Sequence, residues 1–165
     1  MRLPSREGTE LAWRNVIRKV DRPAAKTIQV RIDAQIMDNL RSLPRENLKI
    51  EADLFIGPAA IGPRGARPRT MYILMLADKE SGFIFGIEPI GVENSLEDML
   101  ASVPEKVALL LLETQLIPKQ IIVRSDRLRQ LLSPMAKLLN LQLTAAVRLP
   151  AIDHAKSQLT QFLSK

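Results

Sequence analysis

The stretch from Met71 to Ile90, MYILMLADKESGFIFGIEPI, constrains the fold of this chain more than any other. Two apolar runs, Tyr72 to Asp78 and Phe83 to Glu88, flank Lys79-Glu80-Ser81-Gly82, a turn sequence in which Gly82 is free to take a positive φ. That pattern is a β-hairpin. Both runs are apolar on both faces, so both strands are expected at the centre of a sheet with cover on two sides. Phe83 and Phe85 share one face and read as core aromatics. Cover of that kind comes most simply from helices, and helical periodicities lie on both sides of the hairpin.

Before the hairpin, Thr9 caps a predicted helix carrying Leu11, Val16, Ile17 and Val20, with Trp13 at the edge of its apolar face and Pro23 as its stop. KTIQVRID then alternates Ile28, Val30 and Ile32 with polar residues, the period of a strand. Asp33 opens a helix with Ile36, Met37 and Leu40, and a short strand is expected over Leu48 to Ile56. Residues 57–69, GPAAIGPRGARPR, are rich in proline and glycine and lack periodicity, so they read as a loop. After the hairpin, Ser95 caps a long helix that Pro104 is expected to divide. Ile121 and Val123 form a strand, and a helix with Leu128, Leu131 and Leu132 follows, with a kink or restart at Pro134. Leu141 to Leu149 is the returning strand. Asp153 is read as the cap of a last helix carrying Ile152, Ala155, Leu159 and Phe162.

Residues 26–60 align with 119–153 without a gap. Ile28 meets Ile121, Val30 meets Val123, Arg31 meets Arg124 and Asp33 meets Asp126. The preceding helices fall in line as well, Thr9 on Ser102. The expectation is one domain over 1–165 of the α/β class. It is a layered mixed sheet with covering helices, built from two related α-β-α-β units (9–60 and 102–153) around the central hairpin (71–90).

Composition excludes several chemistries. There is no cysteine, which rules out disulfides and thiolate catalysis and suits a reducing cytoplasm. His154 is the only histidine, so a histidine-rich zinc site is excluded, and no nucleotide-phosphate glycine motif or serine elbow is present. The start, MRLPSREGTE, has no apolar signal core, and the longest apolar run, Met71 to Ala77, is too short to span a bilayer. A cytoplasmic protein without membrane attachment is expected. The net charge of +6 sits entirely in residues 1–70, which hold 14 Lys and Arg against 8 Asp and Glu. In the loop over 57–70, Arg64, Arg67 and Arg69 are candidates for gripping a phosphate backbone.

Three acids stand where chemistry could sit: Asp78 ends a hairpin strand, Asp126 ends a later strand, and Asp153 opens the last helix. On the pieces MLADKESGFIFG, IIVRSDR and LPAIDHA, residues 71–163 resemble the ribonuclease-H-like core of integrases and transposases. The resemblance implies that Asp78, Asp126 and Asp153 hold two divalent cations, Mg²⁺ or Mn²⁺, and act as catalytic residues on a phosphodiester. The chain departs from that pattern at Arg127-Leu128, where a small turn-forming pair is usual, and at Asp153, where glutamate is usual. The whole chain is also similar to an uncharacterised bacterial domain family with the same hairpin, strand end and LP-x-x-D ending, a resemblance that implies no activity. Each acid equally suits a turn or a helix start, where a carboxylate accepts backbone N–H bonds. The preferred reading is therefore a non-catalytic α/β binding or interaction module without a cofactor. A metal-dependent nuclease or strand-transfer enzyme is one alternative, and nucleic-acid binding without cleavage is the other.

Overall fold

The structure, a computed structural model, describes residues 2–7, 10–17, 28–62, 65 and 68–163. Strands β1 (Arg2–Glu7) and β2 (Glu10–Asn15) form a two-stranded antiparallel ribbon. A five-stranded mixed sheet follows, from β3 (Arg45–Ile61), β4 (Arg69–Asp78), β5 (Ile84–Gly91), β6 (Ile117–Val123) and β7 (Gln142–Ala145). The helices are α1 (Ala34–Arg41), α2 (Leu96–Thr114), α3 (Asp126–Leu138) and α4 (Pro150–Leu163). The sheet order is β5-β4-β3-β6-β7, with β3 antiparallel to β4 and parallel to β6.

The hairpin is where it was expected. Asp78 and Gly82 close its turn, and Gly82 takes φ 73°. Only β4 is interior, however. It runs between β3 and β5, and its residues Ile73 to Asp78 are all buried. β5 is an edge strand: Ile84 and Ile87 are exposed and Phe83 is 64% exposed, so of the two aromatics only Phe85 packs against the core. An apolar strand needs cover, but here nothing among the described residues extends past β5 on that side.

The two faces of the sheet are unequal. One carries the main core, where Leu40 of α1, Val103, Val107 and Leu111 of α2, and Leu132 and Met135 of α3 meet Ile50, Ala52, Leu74, Leu76 and Ile121. Burying side chains of this size contributes about 1.5–3 kcal/mol each before the entropy cost of ordering them. That gain explains why Pro104 and Pro134 do not break α2 and α3, which run through them uninterrupted. The apolar stripe continues past each proline and offsets the roughly 3 kcal/mol penalty. The other face holds a smaller cluster, Met75, Ala77 and Ile122 beneath Leu149, Ile152 and Ala155 of the α4 region.

The N-terminal part differs most from expectation. Glu10–Asn15 is a strand, not a helix, because its backbone bonds are met by Arg2–Glu7. Of the apolar residues expected on or beside a helix face, Ile17 is fully exposed and Trp13 largely so, while Val16 is half-buried. Val20 and Pro23 lie outside the described residues. Ile28 to Asp33 form no strand either. Ile28, Val30 and Ile32 instead pack against the core, with no ladder partner among the described residues, and Asp33 caps α1 by accepting from Gln35 and Ile36. The first unit therefore lacks the α-β-α-β order of the second among the described residues, and the two agree in order only from Asp33 and Asp126 onward. β3 also reaches Ile61, into the expected loop, because Ala60 and Ile61 pair with Thr70 and Arg69 beyond a register shift. The returning strand is shorter than Leu141 to Leu149, since the chain leaves β6 after Ala146.

Candidate functional site

On the smaller face, β3 presents Glu51, Asp53 and Phe55, three residues two apart and so on one side of the strand. Glu51 and Asp53 are the deepest acids described, 1% and 4% exposed. Each is answered by the end of the chain folding back over the sheet. The Glu51 Oε2 accepts from the N–H of Ala151 at 3.0 Å and of Ile152 at 3.3 Å, so it satisfies the first turn of α4. Burial pushes its pKa up, against the lowering effect of those two N–H bonds. Asp53 sits 3.4 Å from Arg124 Nε and 3.6 Å from Lys156 Nζ. The Nε contact lacks the alignment of a hydrogen bond and is Coulombic in character.

Arg124 is the hub. It follows β6 directly, and while its Nε faces Asp53 its Nη2 donates to Asp153 Oδ1 on α4. The Arg124 hydrogen bond holds the Asp153 carboxyl below the ordinary carboxylate range, and the same bond raises the guanidinium. The Lys156 ammonium lies 4.0 Å from the Phe55 ring centroid, a cation–π contact beside its ion pair to Asp53. Two cations and three carboxylates thus lock α4 to β3 and β6.

The expected site residues part company in this arrangement. Asp153 belongs to the cluster, but within the first turn of α4 and not at its cap, since the helix starts at Pro150. Asp126 is the first residue inside α3. Ser125 is the cap, accepting from Leu128, and the exposed Asp126 carboxylate pairs with Arg129 at 3.0 Å. Asp78 closes the hairpin turn, accepting from Ser81 Oγ, Ser81 N and Glu80 N, and the Ser81 hydroxyl above all lowers its pKa. Among the described residues no group of three or more His, Cys, Asp or Glu side chains is placed to hold a metal ion. Of the three expected phosphate-gripping arginines, Arg64 and Arg67 lie outside the described residues, and Arg69 is exposed at the start of β4.

Sequence reasoning missed Glu51, Asp53 and Arg124. The signal was present: in KIEADLF the acids alternate with Ile50, Ala52 and Leu54. Alternation alone cannot tell a solvated face from one that a later helix covers.

These features define an α/β protein with a five-strand mixed sheet and a carboxylate cluster closed by its own arginine. Residues 36–160 match the family described as a domain of unknown function, DUF6930, and the chain belongs to that family. No match was found among the curated proteins. No helix among the described residues is long and apolar enough to cross a membrane.

Proposed function

We propose that this chain is a non-catalytic α/β interaction module, cytoplasmic as its cysteine-free composition suits, in which the acidic strand serves to fasten α4. The observation that carries this reading is the Arg124 guanidinium between Asp53 and Asp153. A divalent cation needs converging carboxylate oxygens with free lone pairs. Here Asp53 and Asp153 already face a fixed cation, and Glu51 is committed to the backbone of α4. The residues present do not fit Mg²⁺ or Mn²⁺ and supply no hydrolytic step.

The ribonuclease-H-like reading stays as the second one, favoured by a specific observation. Asp53 of the central strand β3 and Asp153 of α4 both contact Arg124, so two acids meet at one place as that reading needs, although of its own acids Asp78 is held by Ser81 and Asp126 by Arg129. Both readings are tested by heating the protein with and without millimolar Mn²⁺ and by incubating it with plasmid DNA and single-stranded RNA. The interaction-module reading expects an unchanged melting midpoint and intact nucleic acid. A Mn²⁺-dependent rise in the midpoint, or cleavage abolished by Asp53→Asn, would falsify it. Nucleic-acid binding without cleavage through Arg69 and its neighbours is judged by the salt slope of DNA binding, which has to be steep for that reading to stand.

A further inference from the structure

We infer that the groove between α3 and the edge strand β7 is a docking site for an extended peptide carrying two acidic side chains four residues apart. β7 ends the sheet order, so no strand among the described residues covers its outer edge. The Ala146 N–H donates to Val123 O, and in a parallel ladder successive residues turn their backbone groups to opposite sides. The N–H and C=O groups of Leu143 and Ala145 therefore face away from β6, the arrangement that accepts one more strand.

Beside that edge runs an open groove of about 520 Å³, lined by Arg129, Gln130, Ser133 and Lys137 of α3 and by Leu141 and Leu143. Its charged lining is entirely basic. Arg129, Ser133 and Lys137 stand four residues apart and so form one ridge, with Arg129 and Lys137 about 12 Å apart along the helix axis. An added strand turns every second side chain toward α3, and its residues i and i+4 are about 13 Å apart. Carboxylates at those two positions meet Arg129 and Lys137, and a small polar residue at i+2 meets Ser133. The pairing of Asp126 with Arg129 at 3.0 Å marks one end of the ridge as a carboxylate position already in use within the chain.

This inference rests on the reading of the chain as an interaction module, but it fails separately from it. The groove is on the α3 side of the sheet and the Arg124 cluster on the α4 side, so metal and cleavage assays judge one and peptide affinity the other.

The test is fluorescence anisotropy with two labelled nonapeptides in the intact protein, one centred on EVSVE and one on KVSVK. The EVSVE peptide is expected to bind with an affinity that falls as salt rises, and KVSVK is not. Lys137→Glu should weaken EVSVE by about tenfold. Asp126→Asn, which frees Arg129, should tighten it by roughly two- to fivefold. Ala145→Pro removes an outward N–H at a sheet edge, where proline is tolerated, and should also weaken binding by about tenfold. Should that variant fold poorly, the surface change Lys137→Glu carries the test alone. On binding, the amide resonances of Leu143 and Ala145 should shift. Equal binding of both peptides, or of neither, overturns the proposal. So does displacement of EVSVE by oligo-dT at equal concentration, or concentration-dependent self-association that Ala145→Pro abolishes.

Discussion

Replacing Arg124 with alanine removes the cation that contacts both Asp53 and Asp153, and its cost can be built up from exposure. The Asp53 side chain is 6% exposed, Asp153 42% and Arg124 itself 35%. Stripping the partner from a fully buried charge costs about 3–5 kcal/mol, and an exposed pair contributes about 0.2–1 kcal/mol. Asp53 is in the first situation but keeps Lys156 at 3.6 Å, while Asp153 is close to the second. The expected loss is therefore about 2 kcal/mol at pH 7, or roughly 4–8 °C in the melting midpoint for a chain of this size. The pH dependence gives the stricter check. Arg124 lowers the pKa of Asp153, so this stabilisation is complete above the ordinary aspartate value of 3.8 and fades as pH falls through the lower folded value. The difference between wild type and Arg124→Ala in urea titrations should be present in full at pH 7 and shrink as pH falls below 3.8. A difference smaller than about 0.5 kcal/mol at pH 7, or one that does not shrink at all on acidification, refutes the account.

Four further outcomes follow from the same geometry. Glu51→Ala strands two buried N–H groups and should cost about 2–3 kcal/mol by urea titration, whereas Glu51→Gln keeps an acceptor and should stay within about 1 kcal/mol of wild type at pH 7. Because burial raises the pKa of Glu51, its charge costs stability as pH rises from the ordinary 4.5 toward the folded value, so wild type should lose ground to the Gln variant between pH 4 and pH 7. Asp78→Ala removes the acceptor for three donors at the hairpin turn and should lower stability by about 1–2 kcal/mol, a loss that shrinks in acid because the folded pKa of Asp78 is lowered. Gly86→Ala would set a Cβ 2.5 Å from Leu110 Cδ2 in the core and should cost about 1–3 kcal/mol in a thermal melt. Asp126→Ala should shift the midpoint by no more than about 2–4 °C, as suits an exposed i,i+3 pair.

Elements whose stability is local were legible in the sequence. The Lys79 to Gly82 turn, the Ser95 cap and the apolar stripes of α2 and α3 each declare themselves within a dozen residues. What escaped depends on partners distant in the chain. Whether Glu10–Asn15 coils or extends is decided by Arg2–Glu7 across the ribbon, and the same apolar spacing serves either outcome. Ile28, Val30 and Ile32 alternate as a strand would, but among the described residues no neighbour offers them a ladder. The site was half legible for the same reason. Asp153 stood out beside Leu149-Pro150, while the significance of Glu51 and Asp53 depends on residues about 100 positions later. The kinship of VRID with VRSD also misled, since Arg31 lines a surface groove beside α2 and Arg124 ties a helix to two strands.

The bond from Glu51 to the first turn of α4 also bears on the order of events in folding. It joins an early strand to the last helix across 100 residues of intervening chain, and β3 is also the strand on which β4 and β6 both assemble. A nascent chain can zip β3, β4 and β5 as consecutive antiparallel neighbours, but the parallel partners need long loop closures first. Until the segment from Leu149 onward has been synthesised, Met75, Ala77 and Ile122 are left with Phe55 and Ala146 as their apolar neighbours in that cluster, and Glu51 lacks the donors of α4. That face of the sheet is apolar and acidic at once, and α4 is the piece that covers it in the native protein.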